Sequence, residues 1–140
     1  RRCVYATDTT AGTGSEVTKF TIITDQDTDE KMLCAGPGFM PAAALIDYTL
    51  TLTLPPRTTA DTGIDALTHA IEAYVSKKAN LYSDSQALAA MKLLAPNLRE
   101  AYRNGKNEVS REAMMLGATL AGLAFSNASV ALVHGISRPI

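Results

Sequence analysis

DTGIDALTHAIEAY, running from Asp61 to Tyr74, is the stretch on which the reading of this chain turns. It reads as one helix, with Ile64, Leu67, Ala70, Ile71 and Tyr74 covering nearly every side that Asp65 and His69 leave free. Asp65 and His69 stand at i and i+4, so their side chains lie over one another and a carboxylate oxygen and an imidazole nitrogen can converge on one ion. The chain holds 2 histidines, and the second, His134, has a comparable helical setting near the end. One Asp and two His make most of a divalent-metal site, and such a site does Lewis-acid chemistry. An isolated Asp/His pair at this spacing is more often a solvated contact worth about 0.2–0.5 kcal/mol. The apolar neighbours weigh against that here, because a buried carboxylate beside a buried imidazole needs a partner, and a cation is the natural one.

At 140 residues the chain is one ordinary domain or pieces of two. A 46% hydrophobic, 19% charged composition with a net charge of -1 gives no electrostatic case for nucleic acid or an anionic membrane. No apolar run approaches the ~18 residues of a membrane span, and no signal-peptide pattern is present. Cys3 and Cys34 are too few for a disulfide framework, so a reduced, cytoplasmic setting is expected. The chain has no initiating Met, opens into the strand-like CVYAT and stops at Ile140 with a helix unfinished. A segment of a longer protein is the expectation.

The first third reads as strands and loops. Cys3 to Ala6 is a short apolar run; Lys19 to Thr24 and Lys31 to Ala35, separated by the polar turn DQDTDE, look like a hairpin. Ala42 to Ile46 is continuously apolar, as expected of a strand buried on both faces of a sheet. Pro55-Pro56 stops regular structure, and a domain boundary is expected there, with residues 1–55 on one side and 56–140 on the other. Everything after it reads helical. Ser83-x-x-Gln86 has the form of a capping box opening a helix with Leu88, Met91, Leu98 and Tyr102 on one face, which Pro96 should kink or split. Asn104-Gly105 ends that helix and Asn107 or Ser110 caps the next. In that next helix Gly117, Ala118, Ala121, Gly122 and Ala124 permit close approach by a neighbour. A last helix carries Val130, Val133, His134 and Ile136.

TDTTAGTGSE, Thr7 to Glu16, follows a strand and is rich in Thr and Gly. Gly12 and Gly14 would let the backbone approach a ligand, and the hydroxyls of Thr9, Thr10 and Thr13 can donate to ribose or phosphate oxygens. No crossover helix follows, so this is not the GxGxxG dinucleotide fingerprint, and a plain structural turn is an equal alternative.

TTAGTGSEVT (9–18), DTGIDALTHAIEAYVS (61–76) and AGLAFSNASVALVHGISRP (121–139) together resemble the iron-containing (group III) alcohol dehydrogenases over essentially the whole chain. The resemblance implies an α/β nucleotide-binding part, residues 1–55, followed by an all-helical metal-binding part, residues 56–140, with the active site in the cleft between them. It implies Asp65, His69 and His134 as three of four ligands to Fe(II), with Zn(II) an alternative; the fourth, a histidine in a PHG motif, and a glycine-rich phosphate loop are expected outside this chain. It also implies Thr9, Thr10, Thr13, Thr18, Lys31 and Leu50 as positions of an NAD or NADP cleft, and Phe125 as a residue near it, for which a core aromatic is an equal reading. Two departures stand out: Asp8 where the family usually has Pro, and Arg138 four residues after His134, which the resemblance assigns to the substrate pocket.

The implied reaction is hydride transfer between the carbinol carbon of a small alcohol or aldehyde and the nicotinamide, with Asp65 a ligand and not a base. Alternatives within the superfamily are a butanol-type dehydrogenase, a lactaldehyde or diol reductase, or a hydroxyacid–oxoacid transhydrogenase; maleylacetate reductases lack these ligands. A homo-oligomer, dimer or larger, is implied for the full-length form. Outside enzymology the rival is a non-catalytic scaffold.

Overall fold

A computed structural model describes residues 4–137, so Cys3 and Arg138 lie outside the described residues. Four short strands precede four helices: β1 (Tyr5–Thr7), β2 (Phe20–Thr24), β3 (Lys31–Ala35), β4 (Ala43–Leu45), then α1 (Pro56–Val75), α2 (Leu81–Arg103), α3 (Glu108–Ala128) and α4 (Leu132–Ser137). This is the expected order of an α/β part followed by an all-helical part.

The first helix starts on Pro56, whose missing N–H costs nothing in a first turn. Its buried stripe is Thr59, Gly63, Ala66, Ala70 and Ala73, spaced alternately by four and three residues. These side chains are small, so α2 and α3 come close: Leu98 and Met114 occupy the space a Cβ on Gly63 would need. Opposite them Ile64, Ile71 and Tyr74 are 54%, 46% and 44% exposed, which corrects the expectation that apolar residues seal the helix all round. The core against which this stripe packs includes Ala90, Leu94, Ala101, Met114, Met115, Ala118 and Ala121 from α2 and α3. Gly117 admits Leu94, whose Cγ lies 2.7 Å from where a Cβ would stand, as its small side chain predicts. Arg111 ties the bundle further, donating to the Thr59 hydroxyl at 2.8 Å and to the Gly105 carbonyl at 3.0 Å.

Two local expectations about α2 change. Asn80, not Ser83, is its N-cap: Asn80 accepts from the Ser83 amide at 3.1 Å while the Ser83 hydroxyl is bonded to the Asn80 amide at 2.9 Å. Pro96 lies inside an unbroken helix. Its ring faces solvent, and the Asn97 side-chain amide donates to the Leu93 carbonyl at 2.8 Å, so a carbonyl next to the disturbed turn keeps a donor. Asn107 caps α3 through the Ser110 amide at 3.1 Å.

The hairpin forms as expected, with β2 antiparallel to β3 from Phe20↔Ala35 to Thr24↔Lys31. Asp25 sets its turn by accepting from the amides of Asp27 and Thr28. Strands β1 and β4 pair in parallel, Tyr5↔Ala43 to Thr7↔Leu45. The AAALI strand is not buried on both faces: Ala43 is exposed and Leu45 is 65% exposed. The reason is topological, since the described helices pack on one another and none covers that sheet.

The Thr/Gly loop is the part of the α/β region that docks on the helices. A Cβ on Gly12 would meet Thr62 of α1, and one on Gly14 would come within 2.6 Å of the Gly122 Cα of α3. Gly14 also has φ +60°, a conformation that side chains with a Cβ rarely adopt. These glycines therefore serve close approach to α1 and α3, the structural one of the two roles that the sequence left open. The buried Glu16 completes the dock, its Oε1 accepting from the Thr119 hydroxyl at 2.6 Å.

Candidate metal centre and adjoining cleft

Asp65 and His69 lie one helical turn apart on α1, with a carboxylate oxygen 3.8 Å from the His69 Nδ1. His134 arrives from the other end of the chain. Helix α3 stops at Ala128, Ser129 turns the backbone at φ 66°, and the six-residue α4 then brings the His134 ring to α1. Its Nε2 lies 3.2 Å from Asp65 Oδ1. One ligand atom from each of Asp65, His69 and His134 can be chosen so that all lie within 4.8 Å of one another.

The His69 ring sits in an aromatic stack, 4.3 Å from the Phe125 ring and 4.2 Å from the His134 ring. Burial lowers the His69 pKa to about 4, against the pull of the Asp65 charge, so the ring is neutral at pH 7. Burial pushes the Asp65 carboxyl up, but the contact with the His134 ring and the electrostatic pull of the two imidazoles outweigh it, and the net shift is downward. The hydrogen bond to Asp65 raises the His134 pKa, assisted by Glu72 and opposed by burial. Among the described residues, His69 Nδ1 is buried without a hydrogen-bond partner. An anionic carboxylate, a neutral imidazole with an orphaned nitrogen and a second imidazole fit a divalent cation, and the mixed N/O donors suit iron or zinc.

Glu72 was not singled out in the sequence. It is buried one turn beyond His69, with Oε1 accepting from the Val133 amide at 2.6 Å and Oε2 against the His134 Nδ1. The only local signal is its spacing, i+3 from His69 on the same helix.

A cavity of about 460 Å³ opens from these residues, walled by Phe20, Ile22, Leu33, Phe125 and Val130 on its apolar side. Thr13, Ser15, Thr18 and Thr21 add hydroxyls, and Asp65, His69 and His134 line it too. Of the expected cofactor-cleft residues, Thr13 and Thr18 thus share this cavity with the candidate ligands. Thr9, Thr10, Lys31 and Leu50 are not part of its lining. Lys31 opens β3 with its side chain exposed, and Leu50 lies in a helical turn, Tyr48–Thr51, before α1.

Fold and site together define a class: an α/β segment docked on a helical bundle, with a cleft that ends at one carboxylate and two imidazoles. Comparison with known proteins gives that class a family. The C-terminal model of the Fe-containing alcohol dehydrogenase family matches residues 59–140, and the iron-containing alcohol dehydrogenase model matches residues 2–48. The chain belongs to the iron-containing alcohol dehydrogenase family, as its three motifs implied. It is 47% identical over 132 residues to long-chain-alcohol dehydrogenase 1 of Geobacillus thermodenitrificans, covering 94% of this chain and 33% of that protein. It is 42% identical over 137 residues to 1,3-propanediol dehydrogenase of Klebsiella pneumoniae, covering 98% of this chain and 35% of the relative. The crystal structure of sulfoacetaldehyde reductase from Bifidobacterium kashiwanohense in complex with NAD+ superposes with a TM-score of 0.94 at 39% identity, over 98% of this chain and 36% of that one. The chain thus spans about a third of the length of the curated relatives it matches. Among the described residues, no helix is long and apolar enough to cross a membrane.

Proposed function

We propose that the protein carrying this chain is a metal-dependent alcohol dehydrogenase that moves a hydride between a small alcohol or aldehyde and NAD or NADP. The observation that carries the reading is the convergence of Asp65, His69 and His134, within 4.8 Å, on the wall of the cavity. Asp65, His69 and His134 would hold Fe(II), for which Zn(II) competes on the same donors. When bound, the ion supplies Lewis-acid stabilisation for negative charge on a substrate oxygen, and the nicotinamide accepts or returns the hydride.

The chain's own residues have definite tasks in this scheme. Asp65 supplies the anionic donor, and its lowered pKa makes it a poor base. His69, neutral through burial, offers a lone pair at physiological pH. Phe125, Ile22, Leu33 and Val130 give the cleft an apolar wall that limits water around the reacting carbon. Thr13 and Thr18 offer hydroxyls on the side nearest the Thr/Gly loop, which suits them to a polar cofactor. Thr9, Thr10, Lys31 and Leu50 are proposed as cofactor positions on the motif resemblance alone.

The division at Pro55-Pro56 into a nucleotide-binding part, residues 1–55, and a metal-binding part, residues 56–140, belongs to the same proposal. It is supported by the change from short strands to long helices at Pro56. A homo-oligomer is proposed because Ile22, Ile23, Leu33, Leu45 and Ile46 are exposed apolar surface that further chain or a second copy would cover. A cytoplasmic setting is proposed because two cysteines, Cys3 and Cys34, are too few for a disulfide framework.

The test is the full-length protein with short alcohols, NAD(H) and NADP(H), its metal content measured in parallel. His69→Ala should lose metal and, with it, at least about 100-fold in turnover, while the far-UV circular dichroism stays unchanged. Undiminished activity in a metal-free His69→Ala protein would falsify the reading. A gene that encodes neither an upstream glycine-rich phosphate loop nor a downstream PHG histidine would favour the scaffold alternative.

A further inference from the structure

We propose that Glu72 is a positioning residue that fixes the ring tautomer of His134 and anchors α4, so that the His134 Nε2 is presented as a lone pair toward Asp65. The inference rests on the metal-centre reading above and extends it to a residue that makes no contact with the expected ion.

Little else holds α4. It is six residues long, none of them is buried, and Leu132, Val133 and Ile136 are each more than half exposed. Packing against the described residues is confined to the His134 ring, which stacks on His69. Glu72 anchors the helix, because both carboxylate oxygens are committed to this segment: Oε1 takes the Val133 amide at 2.6 Å, and Oε2 takes His134 Nδ1. The carboxylate itself is buried on α1, one turn from His69, so a rigid helix carries both His69 and the group that holds His134.

An imidazole between two carboxylates can give its one neutral-state proton to either. The Glu72 contact is the shorter, while Nε2 stands 3.2 Å from Asp65. A proton kept on Nδ1 by Glu72 leaves Nε2 unprotonated on the Asp65 side of the ring. This is how a carboxylate behind a histidine sets the ligand nitrogen and raises its basicity.

Glu72→Gln separates this role from simple capping. A glutamine carbonyl can still accept from the Val133 amide, so α4 keeps its anchor. Its amide group then faces Nδ1 as a donor, which drives the ring proton onto Nε2 and removes the lone pair from the site. Two measurements on the full chain follow. In the metal-free wild type at alkaline pH, ¹⁵N shifts of the His134 ring should report a protonated Nδ1 and a free Nε2, and Glu72→Gln should invert them. In a chelator competition with Zn(II), Glu72→Gln should bind about 10–100-fold more weakly than wild type, with unchanged far-UV circular dichroism. A wild-type ring protonated at Nε2 overturns the proposal whatever the variant does, as does wild-type Zn(II) affinity in Glu72→Gln. A wild type that binds no divalent metal at all sinks the metal-centre reading as well, which tells the two failures apart.

Discussion

Glu16 sits where the Thr/Gly loop meets α3, buried and bonded to Thr119 through one oxygen. Burial pushes its carboxyl up to about 7, the neighbouring Asp8 carboxyl adds to the shift, and the bond from Thr119 opposes it. A carboxyl whose pKa rises from 4.5 to about 7 on folding takes up a proton as the chain folds. Its contribution to stability is complete below pH 4.5 and is lost as the pH climbs through about 7. The expected result is that stability in urea declines across that window, and that Glu16→Gln flattens the decline. An identical pH profile in the variant would show that Glu16 is not the titrating group. His69 works in the opposite sense: with its pKa lowered from 6.5 to about 4, its contribution is complete above 6.5 and is lost as the pH falls through about 4.

Helix α2 shows how an element can obey one rule and override another. Its N-terminus has a reciprocal cap, its C-terminus stops at Asn104, and between them Pro96 costs a backbone donor without ending the helix. Pro96→Ala should restore that donor on an exposed face and raise stability by about 1–3 kcal/mol, the helix-propensity gain less the loss of proline's restraint on the unfolded chain. Equilibrium unfolding in urea measures this directly, and an unchanged midpoint would mean that the missing donor costs the helix nothing at this exposed position. The same contrast explains what was legible in the sequence. The hairpin, the span of α1, the stop at Asn104-Gly105 and the close packing at Gly117 rest on local spacing and turn chemistry, which the residues carry themselves. The pairing of β1 with β4 and the burial of Glu72 depend on partners 38 and 61 residues away, and no local pattern encodes them. Spacing singles out Asp65 and His69 and the motif adds His134, and the fold brings the three within 4.8 Å. The burial of Glu72 is not legible because a glutamate at i+3 on an amphipathic helix normally reads as a solvated charge.

At the scale of the whole chain, apolar burial is uneven. The three long helices share a core built largely of alanines with Leu94, Met114 and Met115, compact enough to persist as helix. The α/β part has no comparable cover: Val4, Tyr5, Ile22, Ile23, Met32, Leu33, Leu45 and Ile46 are all at least 40% exposed. Strand β4 is also short and has β1 as its one partner among the described strands, so pairing groups along the sheet are open to another chain. Residues 1–140 expressed alone should therefore be helical by circular dichroism yet bind hydrophobic dye and self-associate in size-exclusion chromatography with light scattering. Turnover should be absent when Fe(II) or Zn(II), NAD(H) and a primary alcohol are added. Three donors leave an ion's remaining positions to water, and the chain spans about a third of the relatives that it matches. A monodisperse monomer that reduces NAD at the rate of a full-length relative would mean that the exposed faces need no cover and that the site is already complete within these residues.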